Sequence, residues 1–322
     1  MAPTTDTTAV REPGGATAVA PPAPPPSRVR RPNRWAAWGF LAPVTIYLAA
    51  FYAYPLYRNV ELSLREYTVR SFVQGGAPFA GLDNYRTVLT DPAFVSTLTH
   101  TVVFTVTSLV FQFGIGMALA LFFHRHFPLS RTLRALILVP WLLPLIVSAS
   151  TWSWLLNSDS GLVNAALGVV GVGPVNWLTS PGWSLASVII ANIWIGIPFN
   201  LVVLHSGLQA IPTEVYEASA LDGATGWQRF WSVTLPLLRP VSAITLLLGL
   251  IYTLKVFDII WIMTRGGPTD SSATLATWSY RLGFGNLLPE FGPGAAVGNL
   301  LIVMALIAGL GYVRMERRQH RR

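Results

Sequence analysis

Long apolar runs alternate with short polar links along this chain. Windows of roughly 20 apolar residues, enough for a helix to cross a bilayer, recur near 36–57, 97–123, 135–156, 184–208, 240–263 and 295–313. The pattern predicts an all-α integral membrane protein of about six transmembrane helices. Ahead of the first window, residues 1 to about 34 are rich in Ala, Pro and Thr, with "PPAPPP" at Pro21 to Pro26. They hold too few large apolar side chains to build a core and read as a disordered tail. Arg28, Arg30, Arg31 and Arg34 then precede an apolar run long enough to span, which reads as an uncleaved first helix and not as a removed signal.

Composition strengthens this reading. Of 322 residues, 52% are hydrophobic and only 11% charged, far too apolar for a soluble domain of this length. The net charge of +8 does not mark a nucleic-acid surface, because the arginines lie at the ends of apolar runs and not on one patch. The tail, the link with Arg125, Arg131 and Arg134, the stretch with Arg229 and Arg239, and the Arg314 to Arg322 end are all basic and fall on one side. By the positive-inside rule that side is cytoplasmic, which puts both termini in the cytoplasm. The first outer link, with Arg58, Arg65, Arg70 and Arg86, runs against the rule. With no cysteine there is no disulfide, thiolate metal site or cysteine nucleophile. Twelve tryptophans suit interfacial anchoring.

Within the spans, Gly116 and Ala120 stand at the spacing that lets helix backbones approach closely. Pro140, Pro144 and Pro198 are each expected to kink their helix, either as structural bends or beside a polar path. Lys255 and Asp258 lie three apart in the fifth window, so the spacing predicts an ion pair on one helical face. Such a pair either borders a translocation route or clamps helices together. Asn192, Asn200 and His205 in the fourth window are candidates for lining a sugar path, and interhelical hydrogen bonds explain them equally well. No His, Asp or Glu cluster has metal-ligand spacing and no nucleophile constellation appears, so neither a metal site nor a catalytic one is expected.

The polar passage between the fourth and fifth windows is different in kind. "IPTEVYEASALDG" reads as a short helix, started by Pro212 and Thr213, with Glu214 and Glu217 in its early turns and a stop at Gly223. Trp227, Phe230 and Trp231 follow on a second short helix, before Pro236 and Pro240 lead back into the membrane. These aromatics suit either the bilayer interface or a protein groove.

"YEASALDGATGWQRFWSVTLPLLRP" resembles the EAA loop of bacterial ABC importer permeases, in the carbohydrate and glycerol-phosphate branch related to the maltose transporter. The match falls on Glu217, Ala218, Asp222, Gly223, Ala224, Leu235, Pro236 and Pro240, with Ser219 departing at the third small position. The resemblance extends over roughly 35–318 through "FAGLDNYRTVL" at Phe79 to Leu89, "LVPWLLP" at Leu138 to Pro144, "GLQAIP" at Gly207 to Pro212 and "LKVFDIIWIMTRGGP" at Leu254 to Pro268. Two further departures are His100, expected to alter a helix start, and Arg265, where a third glycine is usual.

The resemblance implies a type I importer permease fold with both ends inside, in a bacterial cell membrane, with a coupling loop at about 212–239. It implies that Glu217, Ala218, Asp222, Gly223, Trp227 and Pro236 engage a separate ATPase, Glu217 meeting a basic residue and Gly223 making the turn. The implied partners are a second permease of similar fold, a dimer of ATPase subunits carrying the ATP and magnesium, and an extracytoplasmic solute-binding protein. That protein docks on small surfaces such as "TRGGPTDSS" at Thr264 to Ser272. The solute is expected to be a sugar or sugar derivative. The chain's own residues agree that nucleotide binds elsewhere: a phosphate-cradling loop needs Gly-Lys before Ser or Thr, and the sole lysine, Lys255, follows Leu254. A self-contained ion-coupled transporter using Lys255 and Asp258 as a charge relay is the alternative.

Overall fold

The computed structural model describes residues 34–125 and 127–319, so the expected Ala/Pro/Thr-rich tail lies, except for Arg34, outside the described residues. Among the described residues the ordered elements are helical, and extended pairing is limited to two isolated bridges, Arg65 with Phe79 and Thr68 with Glu290.

Two compact units divide after Tyr52. The first carries helix α1 (Arg34–Leu48) and the start of a π-type turn, Ala49–Ala53. Its side chains from Trp38 to Tyr52 are all exposed, Phe40 and Phe51 among them. That is the arrangement hydrocarbon permits, because a helix satisfies its own backbone groups and its apolar side chains need no protein cover.

The second unit contains α2 (Tyr54–Ser63), α3 (Pro92–His124), α4 (Ser130–Leu142), α5 (Leu145–Leu155), α6 (Ser184–Gln209) and α7 (Thr213–Leu221). It continues through α8 (Gly226–Leu254), α9 (Asp258–Met263), α10 (Leu275–Tyr280) and α11 (Phe291–Gln319). Among the described residues, Trp38–Ser63, Pro92–His124, Ser184–Gln209, Gly226–Leu254 and Phe291–Arg314 are each long and apolar enough to cross a membrane. The pair α4 and α5 makes a sixth crossing if taken as one broken span. The six apolar windows thus correspond to helices, with the main differences in the third and the fifth.

The third window is bent by 97° between α4 and α5. Pro144 stands at the break as the residue before α5, with no N–H to carry a helical ladder through. Pro140 and Pro198, by contrast, sit inside α4 and α6 without ending either.

The fifth window begins earlier and ends earlier than expected. Its helix starts at Gly226, passes a π-type turn at Phe230–Thr234 and stops at Leu254. Pro236 falls in the first turn of the segment after that turn, and Pro240 is carried within it. Lys255 caps α8, and Asp258 opens α9 after the non-helical Val256 and Phe257. The expected Lys255–Asp258 pair on one helical face is therefore corrected: the helix ends between them, both side chains are exposed, and the ion pairs among the described residues do not include them.

His100 does not alter a helix start. The start of α3 is set by Asp91, whose carboxylate accepts from the Ala93 N–H at 2.7 Å, and by Pro92 at the first helical position. His100 lies roughly two turns further in.

The centre of the second unit is the α3–α6 contact. Met117, Ala120 and Phe123 of α3 pack with Leu201, Leu204 and Leu208 of α6 and Leu238 of α8. Gly116 and Ala120, the expected small pair, do lie in this interface: Ala120 is fully buried, and a Cβ on Gly116 would stand 2.5 Å from the Asn200 Cβ. A second cluster joins Phe104, Ala149 and Val188 to Ile259, Ile260 and Met263 of α9. Burying those three residues is what holds α9 apart from α8. A third links Val88, Leu275 and Trp278 to Ala296 and Val297 of α11.

Candidate functional site

The hairpin between α6 and the body of α8 is built by local sequence rules. Helix α7 follows Pro212 and ends at Leu221. Gly223 takes φ +76, its N–H bonds the Ala220 carbonyl, and the Ala224 N–H bonds the Ser219 carbonyl, both at 3.1 Å. These two bonds satisfy orphan carbonyls at the helix end and require the left-handed residue at Gly223. Nothing lies within 4 Å of a Cβ built there, so the constraint is conformational and not steric. Thr225 then starts α8 with a reciprocal cap: its backbone N–H donates to Gln228 Oε1 at 2.8 Å, and its hydroxyl accepts from the Gln228 N–H at 3.4 Å. The Tyr216 and Thr234 hydroxyls meet at 3.3 Å, tying α7 to α8.

The outer face of this hairpin is exposed among the described residues. Glu217, Ala218, Asp222, Gly223, Trp227 and Pro236 are all exposed. Leu221 is 90% exposed and Trp227 71%, while the Trp227 and Trp231 rings meet edge to face at 5.6 Å. The helix pair thus presents a carboxylate beside exposed apolar side chains, the combination that helix-in-groove recognition uses.

The four residues assigned to a translocation path are not brought together. Asn192 and Asn200 are buried in the α3–α6 interface. Gln112 Nε2 donates to the Asn192 carbonyl at 2.9 Å, and Asn200 Nδ2 donates to the Gly196 carbonyl at 2.9 Å. Asn192 Nδ2 and Asn200 Oδ1 are buried without a partner among the described residues. Lys255 instead stands over the Tyr252 ring, with Nζ 5.0 Å from its centroid. Tyr252 continues into a row of rings from three helices: its ring lies 6.3 Å from Phe199 of α6, which lies 6.1 Å from Trp141 of α4. Trp141 and Tyr252 are half exposed, so the row presents ring faces and edges and ends in a cation.

At Thr264 to Ser272 the loop is held from within. The Thr264 and Ser272 hydroxyls meet at 2.8 Å, and Ser272 also donates to the Gly267 carbonyl at 2.8 Å. Ser271 bonds Ser184 of α6 at 2.8 Å, and Asp270 pairs with Arg281. Arg265, at a position where glycine is usual in the resemblance, takes φ 52, a left-handed conformation that a non-glycine residue adopts at a cost.

Sequence reasoning missed the Thr225 cap, which the Thr-x-x-Gln pattern signals, and the ring row, which no local pattern could signal because its members come from three helices. It also missed the partner of His205: Arg134 Nη1 lies 3.1 Å from His205 Nε2, across 71 positions of sequence.

A family model described as "Binding-protein-dependent transport system inner membrane component" matches residues 112–321. The trehalose/maltose transport system permease protein MalF of Thermococcus litoralis is 40% identical over 243 residues, which cover 74% of this chain and 80% of that protein. The sulfoquinovosyl glycerol transport system permease protein SmoG of Agrobacterium fabrum is 32% identical over 277 residues, 86% of this chain and 89% of that one. Among solved structures, a bacterial ABC transporter involved in the import of the acidic polysaccharide alginate is similar with a TM-score of 0.76 at 27% identity, covering 88% of this chain and 96% of that one. The chain belongs to the family of binding-protein-dependent transport system inner membrane components. Within it, the chain is a membrane-spanning permease of the ABC transporter class.

Proposed function

We propose that this permease forms the translocation pathway of an ATP-driven importer for a sugar or sugar derivative and performs no chemistry of its own. One observation carries the reading: the hairpin from Thr213 to Thr234 is internally capped, rigid and exposed on its outer face. Glu217 and Ala218 engage a cleft of a separate ATPase subunit, Trp227 and Trp231 anchor it, and Gly223 fixes the angle between the two helices. Closure of an ATPase dimer, which holds the ATP and magnesium, moves α6 and α8 because they flank the hairpin directly. Both termini and the hairpin face the cytoplasm, as the distribution of arginines supports.

The assignment to sugars rests on the ring row and on the named solutes of the relatives. Apolar sugar faces stack on exposed aromatic rings, and the row Trp141–Phe199–Tyr252 offers such rings beside Lys255, a donor for hydroxyls or carboxylates. An extracytoplasmic binding protein delivers the solute to the opposite end, using the internally bonded loop at Thr264 to Ser272. A second permease completes the pathway.

The test is purification of the chain from its native membrane in mild detergent, followed by reconstitution. The expected result is co-purification of an ATPase with a phosphate-cradling loop, and uptake only with ATP and binding protein. A chain that purifies alone and moves solute without ATP overturns the proposal.

A further inference from the structure

Helices α4 and α6 line an open pocket of about 300 Å³ whose polar wall is Arg131, Arg134, His205 and Ser206, with Leu138 and Leu201 on its apolar side. The positive charge here is uncompensated. Neither arginine takes part in an ion pair among the described residues, and the first turn of α4 contains no acidic residue. Arg131 sits in that first turn, where it adds to the positive end of the helix dipole instead of opposing it. Arg134 is held in place by His205 Nε2 at 3.1 Å, yet its Nε is buried and has no partner among the described residues. The pocket therefore carries two guanidinium groups with no carboxylate paired to them among the described residues.

The depth of the cavity also fits. Arg131 is in the first turn of α4, and His205 is about one turn before the end of α6 at Gln209. Both lie near the ends of apolar helices, where spans meet polar links. Basic pockets between helices at this depth receive phosphate groups, and the guanidinium fork matches phosphate geometry.

We propose that this cavity is a phosphate-binding site, in which Arg131 and Arg134 contact the phosphate oxygens and Ser206 donates a further hydrogen bond. The phosphate belongs either to an anionic phospholipid at the edge of the bundle or to a soluble phosphate compound. The site has a direct route to the coupling hairpin: the His124 ring lies 6.4 Å from His205 and 6.3 Å from Tyr216, the neighbour of Glu217.

The full chain, with whatever subunits accompany it, is titrated with phosphatidylglycerol and with phosphatidylcholine while bound lipid is counted by native mass spectrometry. Inorganic phosphate is titrated separately against the midpoint of thermal unfolding. Arg131→Gln is a safe probe because Arg131 is exposed and makes no ion pair among the described residues. A lipid source predicts preferential retention of phosphatidylglycerol, weakened roughly fivefold by Arg131→Gln, as ~1 kcal/mol per basic residue converts, and restored by Arg131→Lys. A soluble source predicts no lipid preference, but a phosphate-dependent rise in the midpoint that Arg131→Gln abolishes. If neither probe distinguishes wild type from Arg131→Gln or from Arg134→Gln, the proposal is overturned.

Discussion

Gly116 of α3 lies against the Asn200 backbone of α6, so closely that a Cβ on the glycine would stand 2.5 Å from the Asn200 Cβ and 3.2 Å from its carbonyl carbon. Neither of those atoms is the free end of a flexible side chain, so a methyl group there forces the two helices apart. Gly116→Ala is expected to destabilise the folded chain by about 1–3 kcal/mol, the usual cost of overpacking a tight core. Gly114→Ala is the control, since nothing lies within 4 Å of its Cβ position; it should be neutral or slightly stabilising. Thermal unfolding of both variants in the same detergent checks the contrast.

The hairpin makes a conformational prediction. With φ +76 and open space around it, Gly223 should tolerate Asn, which visits the left-handed region readily, but not Val or Pro. Gly223→Asn should keep most ATP-dependent uptake, and Gly223→Pro should abolish it while the chain still inserts. Similar uptake by the two variants would show that the turn does not set the coupling geometry.

Glu217 is exposed and makes no ion pair among the described residues, so Glu217→Ala should leave the melting temperature unchanged and strongly reduce both uptake and solute-stimulated ATP hydrolysis. Unchanged coupling would remove Glu217 from the docking surface.

Tyr252 and Lys255 are expected to act on solute and not on folding. Tyr252→Ala should raise the KM for uptake roughly fivefold, from the loss of ~1 kcal/mol of ring contact, while Tyr252→Phe retains most affinity. Because Lys255 and Asp258 are not paired, the effects of Lys255→Met and Asp258→Asn on stability should add to within about 0.5 kcal/mol. A larger coupling energy from that double-mutant cycle would restore the ion pair the sequence spacing implies.

How much of this was legible depended on how local each cause is. The first helix of the hairpin could be read from Pro212 and Gly223 because each acts within one turn; the Thr-x-x-Gln cap acts as locally but was missed. The bend at Pro144 was readable as a missing N–H, though its angle of 97° was not, and Pro198 shows that a proline need not end a helix whose neighbours hold it. The end of α8 at Leu254 carried no local signal: "TLKVFD" has neither Gly nor Pro. It arises because Ile259, Ile260 and Met263 bury themselves against Ala149 and Val188, a tertiary preference outweighing helical continuity. The ring row and the Arg134–His205 contact unite distant segments, so they emerged only with the fold.

Docking of α7 into an ATPase subunit can be tested directly with a thiol on its exposed face. The chain contains no cysteine, so Ala218→Cys, on the exposed face of α7, places a single thiol on that surface. In native membranes, a short thiol-reactive cross-linker should join it to a chain bearing a phosphate-cradling loop, with a yield that changes when ATP is added. Failure to cross-link to any ATPase, together with solute uptake that proceeds without ATP, would contradict the account.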